Sequence, residues 1–359
     1  MIKKIILTGF KNHPSGSYSF EQPVVGICGK NGIGKTNLLD SVYYCCFTKS
    51  YFQSIDAQNI GFGEPGFRME GHFERGDNRE KLVCINRAGS KKELYLNDIP
   101  YEKLSQHIGR FCCVMIAPDD IDLINGTGEL RRKFLDVLIC QLDASYLLDL
   151  NAYNKILQQR NSLLRNEHKN GVGDETLLDI LDGQLARYGD RVFQKRLEIF
   201  NEIHPKILSH YMGIAAHENQ IRIRYESKLH GTDMLQCLKS NRQKDLILQR
   251  TNSGIHRDDL IFEWNTQPFK NIASQGQKKS LLFSLKLAEY EMLLEKTGQT
   301  PILLLDDVFE KLDSERMTNL LEVVCKKHKG QVIITDTHPE RLTGVMESLN
   351  IGIQLIKLQ

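Results

Sequence analysis

The chain has 359 residues, of which 41% are apolar and 26% charged, the composition of an ordinary globular protein with room for one large core or two modest ones. The formal net charge of +2 does not by itself indicate a nucleic-acid-binding protein, so any such face depends on local clusters of lysine and arginine. No apolar run approaches the roughly 20 residues that a membrane-spanning helix needs, and polar residues interrupt the first apolar run before a signal-peptide core can form. We therefore expect a soluble, cytoplasmic protein with no membrane partner.

The nine cysteines predict neither a disulfide framework nor a zinc site. Their number is odd, no two have the C-x-x-C spacing, and two pairs are adjacent in sequence, Cys45-Cys46 and Cys112-Cys113. We expect reduced, buried thiols, as is usual in cytosolic proteins.

The first third of the chain reads as short strands separated by turns. Turn sequences occur at Gly76-Asp77-Asn78 and Asn97-Asp98. Alternating or continuous apolar runs predict five strands, at Lys4–Leu7, Pro23–Cys28, Gly66–Glu74, Lys81–Asn86 and Lys92–Leu96.

The pattern changes near Pro118-Asp119-Asp120. From Glu129 onwards, apolar residues recur every three or four positions as far as Leu157, and again from Leu177 to Ile207. This period predicts helices, with a turn at Gly171-Val172-Gly173 between them. Together they predict a helical arm of about 100 residues.

The last third alternates helices with strands. We predict strands at Gln220–Tyr225, Asp259–Trp264, Ile302–Leu305 and Gln331–Thr335, with one helix from Lys279 to about Lys296 and another between the last two strands. Buried strands alternating with helices are typical of parallel α/β units.

A phosphate-binding loop follows the second strand. Residues 29–36 fit G-x-x-x-x-G-K-[ST] at every fixed position, between an apolar strand and a helical run that starts with Asn37. Glycines let backbone N–H groups surround phosphate oxygens, Lys35 can neutralise the β and γ phosphates, and the Thr36 hydroxyl can bind Mg²⁺. We predict an ATP site formed by Gly29, Lys30, Asn31, Gly32, Ile33, Gly34, Lys35, Thr36 and Asn37.

A second acidic site belongs with this loop. The apolar strand Ile302–Leu305 ends in Asp306-Asp307, the arrangement called Walker B. Asp306 would hold Mg²⁺ through water, and Asp307 would orient or deprotonate the attacking water. On its own the pattern is equally compatible with a strand that ends in a solvated Asp-Asp turn, and the P-loop in the same chain favours Walker B.

A polar segment that precedes the Lys279 helix is a candidate second phosphate contact. A serine and glycine amides at a helix N-terminus form a good anion site, and the alternative is a simple helix N-cap by Ser274 or Ser280. The segment is Ser274, Gln275, Gly276 and Gln277, similar to the S-G-G-Q signature of ABC-type ATPases. In that class the signature of one subunit covers the γ-phosphate held by the other.

Basic residues cluster at several places in the predicted arm and beside the signature. They could neutralise backbone phosphates without reading bases, or they could be solvated helix faces. The candidates are Arg131, Arg132, Lys133, Arg160, Arg165, Lys278 and Lys279. With no zinc finger or recognition-helix pattern, binding to single-stranded or duplex DNA should be largely sequence-independent.

In combination, these segments resemble the RecF branch of the chromosome-maintenance ATPases. The matching segments run along the whole chain: Phe10-Lys11-Asn12, Gly29–Asn37, Pro118–Asp120, Glu129–Asp136, Gly254–Leu260, Ser274–Gln277, Leu303–Val308 and Asp313. The chain departs from the pattern at Ile255, where proline is usual, at Lys11, where arginine is common, at Lys311, where glutamate is common, and at Phe52, where many relatives have arginine.

The resemblance implies an α/β fold with an ABC-type P-loop ATPase head, a mixed sheet and an inserted helical arm. The head would comprise residues 1–120 and 220–359, and the arm residues 121–219. It further implies that Lys11 lies near the nucleotide, that ATP drives formation of a homodimer, that DNA stimulates weak ATP hydrolysis, and that the protein works with RecR and RecO to place RecA at single-strand gaps. A γ-phosphate-sensing residue is expected after the strand Gln331–Thr335, where Asp336 or His338 could fill that role, and a strand end that is simply exposed to solvent is an equally good interpretation.

Three other functions remain to be weighed. A transporter's nucleotide-binding subunit has its P-loop and signature closer together. A long-armed chromosome-tethering ATPase needs heptads over hundreds of residues, and this insertion is too short. A binding module that uses ATP only as a structural ligand, with another DNA-tethering role, differs in having no DNA-stimulated ATP hydrolysis.

Overall fold

The structure is a computed structural model, and it describes residues 1–170, 175–215, 221–307, 318–319, 321–327 and 330–358. The chain forms two compact units, one of residues 1–120 and 282–359 and one of residues 121–281. The predicted turn at 171–173 and the segment from Val308 to Asp313 lie outside the described residues.

An antiparallel sheet forms one layer of the first unit. Its strand order is β2-β1-β4-β5-β6-β7. Alternate residues of β1 and β4 are buried, as expected for a sheet with one face on the core. The strands are β1 (Ile2–Phe10), β2 (His13–Ser19), β4 (Gly66–Arg75), β5 (Asn78–Arg87), β6 (Glu93–Leu96) and β7 (Ile99–Pro100).

A second, fully parallel sheet has the order β14-β3-β13-β12-β8. Every residue of β3, β8, β12 and β13 is buried, which explains why these strands are apolar apart from the last two residues of β13, Thr335 and Asp336. The strands are β3 (Val24–Cys28), β8 (Cys113–Ile116), β12 (Ile302–Leu305), β13 (Val332–Asp336) and β14 (Gln354–Lys357).

Helix α1 (Lys35–Phe47) packs against both sheets, contacting β1 and β4 of the first and β8 and β13 of the second. Eleven of its thirteen residues are buried, so it is apolar around most of its circumference. The unit also contains most of helix α8 (Gln275–Thr297), helix α9 (Pro339–Ser348) and a π-helical turn at Glu322–Lys327.

The second unit combines helices with a small antiparallel sheet. Its helices are α2 (Asp122–Asn125), α3 (Gly128–Leu142), α4 (Ala144–Asn170), α5 (Glu175–Ala215), α6 (Met234–Leu248) and α7 (Phe269–Ile272). The sheet has the order β11-β10-β9, with β9 at Ile221–Glu226, β10 at Asp259–Trp264 and β11 at Gln267–Pro268. Sheet and helices share one core, since β9 packs on α5 and β10 packs on α3.

That shared core corrects the predicted domain boundary. We assigned residues 220–281 to the head, but residues 221–281 belong to the same compact unit as the helices. The physical reason is that Ile221, Ile223 and Tyr225 turn one face of β9 inward, against the buried face of α5. Apolar alternation predicted the strand but could not indicate which core it would enter.

The apolar period from Leu130 to Leu157 also covers two helices rather than one. Asp143 ends α3 and caps α4, accepting hydrogen bonds at Oδ1 from Ser145 N (2.9 Å) and Tyr146 N (3.3 Å). Strands β2, β8 and β14 and helices α6 and α9 were not predicted. No helix among the described residues is long and apolar enough to cross a membrane.

Candidate functional site

The P-loop lies where the sequence predicted, between the end of β3 and the start of α1. Gly32 and Gly34 have positive φ values of 81° and 109°, a conformation that L side chains rarely adopt. A Cβ on Gly34 would also lie 2.6–2.9 Å from side-chain atoms of Asn12 and His13. The glycines of this motif are therefore required by backbone conformation and by a close neighbour.

The Lys35 ammonium lies inside the loop. It donates to the carbonyl oxygens of Gly29 (3.0 Å) and Lys30 (3.3 Å) and lies 3.5 Å from Asn31 Oδ1. Lys35 is almost completely buried, whereas Lys30, Asn31 and Gly32 are exposed. A buried cation surrounded by exposed backbone is suited to an anionic ligand that arrives from solvent.

The parallel sheet brings the acidic residues that follow β12 close to the phosphate-binding loop that follows β3. The carboxyl ends of parallel strands lie at one edge, so the residue after β12 reaches the loop after β3. The Thr36 hydroxyl donates to Asp306 at 2.9 Å (Oδ1) and 3.1 Å (Oδ2). Thr335, at the end of β13, donates its hydroxyl to Asp306 Oδ1 at 2.8 Å and accepts from Asp307 N at 2.8 Å.

The donors at this place fit magnesium. Carboxylate and hydroxyl oxygens are the ligands that Mg²⁺ prefers, and it usually keeps several waters and phosphate oxygens besides. Burial raises the pKa of Asp306 to about 6, and the hydrogen bonds from Thr335 and Thr36 oppose that rise. Among the described residues no group of three or more His, Cys, Asp or Glu side chains is arranged to hold a metal.

Asp307 has an unusual backbone, with a φ of 42°. Aspartate tolerates this left-handed region better than most residues but not without cost. Its amide is fixed by Thr335, so the chain turns sharply directly after the buried strand. The turn directs Asp307 away from the direction that continued extension of β12 would give it.

The structure separates the two candidates for the γ-phosphate sensor. Both Asp336 carboxylate oxygens are engaged, with Arg341 Nε at 3.0 Å, Arg341 Nη2 at 2.6 Å and His338 N at 2.8 Å. His338 instead lines a cavity of about 630 Å³ beside the P-loop residues Gly29, Lys30 and Asn31. Asp336 therefore holds the turn, and His338 is the better candidate.

Lys11 lies near the P-loop helix but has a protein partner. Its ammonium is 2.6 Å from Asp40 Oδ2 and 3.4 Å from Ser50 Oγ, and its side chain is almost fully buried. The neighbouring Asn12 accepts from Asn37 Nδ2 at 2.7 Å. Lys11 thus anchors the β1–β2 turn to α1, and direct contact of Lys11 with nucleotide stays a prediction.

The signature segment lies in the second unit, at the start of α8. Ser274 Oγ accepts from Gln277 N at 3.2 Å, and Gln277 Oε1 accepts from Ser274 N at 2.8 Å. This reciprocal pair is a capping box. Ser274 and Gln275 are exposed, and Gly276 and Gln277 are half-buried. The N-cap alternative is therefore part of the structure, and it leaves the segment accessible to a ligand.

The basic residues divide into two groups. Arg160 is completely buried, with Nε 2.6 Å from Asp182 and Nη1 2.8 Å from Asp245. Arg131 pairs with Asp259 at 2.6 and 2.9 Å. Arg160 and Arg131 are therefore neither candidate DNA contacts nor solvated helix faces, since they lie where α4 packs on α5 and α6 and where α3 packs on β10. Arg132 donates to Asp258 O and is half-buried, Lys133 and Arg165 are exposed, and Lys278 and Lys279 are half-buried.

Sequence reasoning missed three supporting residues. Thr335 fixes both acids of the Walker B site. Asn12 and His13 contact the P-loop, with His13 Nε2 3.0 Å from Gly34 O, and burial lowers the pKa of His13. Thr335 carried one signal, its position at the end of an apolar strand in an α/β segment.

A P-loop and an aspartate that converge at the edge of a parallel sheet, with an antiparallel sheet and a helical insertion, define the head of an ABC-type ATPase. The family model for the RecF/RecN/SMC N-terminal domain matches residues 1–356. Curated proteins named DNA replication and repair protein RecF from Flavobacterium johnsoniae and Cytophaga hutchinsonii are each 41% identical, over 99% and 97% of this chain and 99% and 92% of their own lengths. The chain belongs to the RecF family of DNA replication and repair proteins.

Solved structures agree with this assignment. A structure of the recombination mediator protein RecF-ATP in the RecFOR pathway superposes with a TM-score of 0.85 at 30% identity, covering 94% of this chain and 92% of that one. An Smc head bound to the C-terminal winged-helix domain of ScpA gives a TM-score of 0.57 at 14% identity, covering 100% and 94% of the chains. The second likeness shows the shared ABC-type head fold, which the sequence predicted.

Proposed function

We propose that the chain is an ATP-dependent DNA-binding protein of recombinational repair. ATP and Mg²⁺ bind at the P-loop, a second copy completes the site, and the resulting dimer holds DNA. Hydrolysis is slow and stimulated by DNA, so the ATP-bound dimer persists for a limited time. The enzyme would thus use ATP as a timer rather than turn it over rapidly.

The hydrogen bond between Thr36 and Asp306 is the observation that carries the proposal. It places a metal-binding hydroxyl and a metal-binding carboxylate at the same point, beside the buried Lys35. Mg²⁺ at this point would neutralise charge that develops on the transferred phosphoryl group. Asp307 would orient or deprotonate the attacking water.

Completion of the site by a second copy follows from the exposed signature. Ser274 and Gln275, at the start of the 23-residue helix α8, are exposed, and the N-terminus of a long helix favours an anion. We propose that they cover the γ-phosphate held by Lys35 and Thr36 of the other copy. Each dimer would then hold two ATP molecules, and nucleotide would join the two heads.

DNA binding would rely on phosphate contacts from basic residues that are exposed or half-buried, for which Lys133, Arg165, Lys278 and Lys279 are candidates, whereas Arg131 and Arg160 are buried. Such contacts are independent of base sequence, so both single-stranded and duplex DNA are candidate ligands. The affinity should fall steeply with salt, and a flat salt response would count against a surface that follows phosphates.

The family suggests the biological setting. We propose that the dimer acts with RecR and RecO in loading RecA at single-strand gaps, and so supports replication restart and SOS induction. The relatives' names and the match to a RecF structure from the RecFOR pathway support this setting. A cytoplasmic location is proposed on the same basis.

Light scattering tests the mechanism directly. The protein is sized without nucleotide, with Mg-ADP and with a slowly hydrolysed ATP analogue in Mg²⁺, each with and without DNA. We expect a dimer only with the analogue. A protein that stays monomeric at saturating analogue with DNA present, and with Ser274 intact, contradicts the proposed dimer.

A further inference from the structure

One loop of the first unit exposes apolar residues beside the nucleotide site. Among the described residues of that unit, four large apolar side chains are exposed, Met1, Ile55, Phe62 and Ile99. Two of these four, Ile55 and Phe62, lie in the segment that joins α1 to β4. Phe62 is fully exposed, and aromatic residues, phenylalanine included, are enriched at the centres of protein–protein interfaces.

The loop that carries Phe62 is well fixed by backbone hydrogen bonds. Lys11 N donates to Asn59 O at 2.9 Å, Gly61 N to Gly9 O at 2.8 Å and Glu64 N to Gly61 O at 3.0 Å. A Cβ on Gly61 would lie 3.0 Å from Lys11 O. The ring is therefore presented by a pre-formed loop, which lowers the entropy lost when a partner binds.

The same contacts fix the position of this loop relative to the P-loop. Its anchors are Gly9 and Lys11 at the end of β1, and Asn12, which follows Lys11, accepts a hydrogen bond from Asn37 directly after the P-loop. Phe62 and the P-loop thus belong to one rigid edge of the unit. The loop of Phe62 and the P-loop are held by the same short segment, residues 9–13, through hydrogen bonds of Gly9 and Lys11 to the former and of Asn12 and His13 to the latter.

The signature segment in the second unit has complementary neighbours. Ile272, two residues before Ser274, is 40% exposed, and Lys270 is exposed two residues before that. In the first unit, the exposed Glu64 lies two residues from Phe62, the same separation as between Lys270 and Ile272. Each motif is therefore accompanied by an exposed apolar residue and an exposed charge, and the two charges are opposite.

We propose that the loop of residues 59–65 is a contact of the ATP-dependent interface between two copies of this chain. Phe62 of one copy packs on Ile272 of the second copy, and Glu64 pairs with Lys270 of that copy. The inference rests on the proposed function, because only the nucleotide-joined dimer brings the P-loop of one copy against the signature of the other. The apolar contact supplies affinity, and the charge pair supplies orientation.

The test measures dimerisation with the slowly hydrolysed analogue and Mg²⁺ by sedimentation velocity across a concentration series. Phe62→Ala and Glu64→Lys should each weaken the dimer about tenfold or more. Ile99→Ala is the matched control, another exposed apolar residue of the same unit, on β7 at the opposite edge of the sheet from β2. It should leave the dimer unchanged.

Charge reversal tests the orientation of the pair. Lys270→Glu alone should weaken the dimer like Glu64→Lys, and the double variant should recover most of the loss. Dimerisation of Phe62→Ala at the parental concentration, or a double reversal weaker than both single variants, overturns the inference. The inference is also overturned if Phe62→Ala dimerises normally but binds DNA less tightly, or binds nucleotide less tightly as a monomer. The ring would then contact that ligand rather than a second copy.

These outcomes separate the inference from the proposed function. A parental protein that never dimerises with the analogue defeats both. A parental protein that dimerises, with Phe62→Ala and Glu64→Lys dimerising equally well, defeats only the assignment of this loop. Thermal unfolding of each variant confirms folding, and no change is expected because Phe62 and Glu64 are exposed.

Discussion

The Thr36 hydroxyl lies 2.9 Å from Asp306 Oδ1, although the two residues are 270 positions apart in the sequence. The contact exists because β3 and β12 are parallel strands of one sheet, separated only by β13. Parallel strands deliver the residues that follow them to the same edge, where ligands of open α/β sheets bind. Thr36, Asp306 and Thr335 thus form one hydrogen-bonded group.

Replacing Asp306 should abolish hydrolysis. Asp306→Asn keeps the shape but removes the charge that would hold Mg²⁺, so we expect kcat to fall by about 100-fold or more. Steady-state ATPase assays with DNA measure this, and Asp98→Asn, at an exposed turn of the same unit, is the control. Retention of the parental kcat in Asp306→Asn would remove Asp306 from the catalytic site.

Asp307 should separate binding from hydrolysis. Asparagine tolerates positive φ, so Asp307→Asn should fold, bind ATP, dimerise and fail to hydrolyse. Because aspartate replaces the longer glutamate that is usual in transport ATPases, the parental rate should itself be slow. Asp307→Asn that hydrolyses at the parental rate contradicts this assignment.

The backbone at Asp307 makes a separate prediction about stability. Asp307→Ala should lose about 1 kcal/mol of unfolding free energy, because alanine pays the cost of a left-handed conformation. Asp307→Gly, which has no such cost in the folded state, is the comparison. Chemical denaturation of both variants measures the difference, and equal stabilities would show that the φ of 42° carries no strain.

Arg160 should be essential for folding of the second unit rather than for DNA binding. Arg160→Ala leaves Asp182 and Asp245 as buried charges without their partner, so we expect a loss of about 3–5 kcal/mol. Arg165→Ala, an exposed position on the same helix, should change stability little and DNA affinity measurably. Denaturation and DNA-binding titrations distinguish the two, and the reverse pattern would contradict the structure.

Glu289 should make stability depend on pH. Burial raises the pKa of this carboxyl to about 7, and the Lys286 ammonium 3.6 Å away opposes the rise. The folded pKa of this carboxyl lies above its unfolded value of 4.5, so the folded state binds the proton more tightly than the unfolded state does. Stability therefore falls as pH rises from about 4.5 to 7.

The role of Glu289 is tested by how steeply the free energy of unfolding changes with pH, rather than by its value at one pH. The contribution of one proton reaches at most about 1.4 kcal/mol per pH unit. Unfolding of the parent and of Glu289→Gln is measured between pH 4.5 and 8.5, and the variant should lose less stability than the parent as pH rises. Identical slopes would mean that Glu289 titrates normally.

The sequence by itself predicted the P-loop, the Walker B strand, the signature and most strands of the first unit. These are short-range patterns, in which glycines, an apolar run or a cap determine local conformation whatever the rest of the chain does. The fold class followed from their combination and from the family resemblance, and the structural comparison confirms it. Lys35 and Thr36 could be named as candidates because the spacing of the motif alone predicts their roles.

Only the tertiary structure decided which residues meet. Residues 221–281 pack with the helices, Arg160 forms a buried ion pair, and Lys11 pairs with Asp40. Asp336 pairs with Arg341, and His338 lines the cavity beside the P-loop. The charge of a residue and the spacing at which apolar residues recur can be read from the sequence. The burial of a residue and its partners depend on residues tens to hundreds of positions away, brought close by sheet order and helix packing.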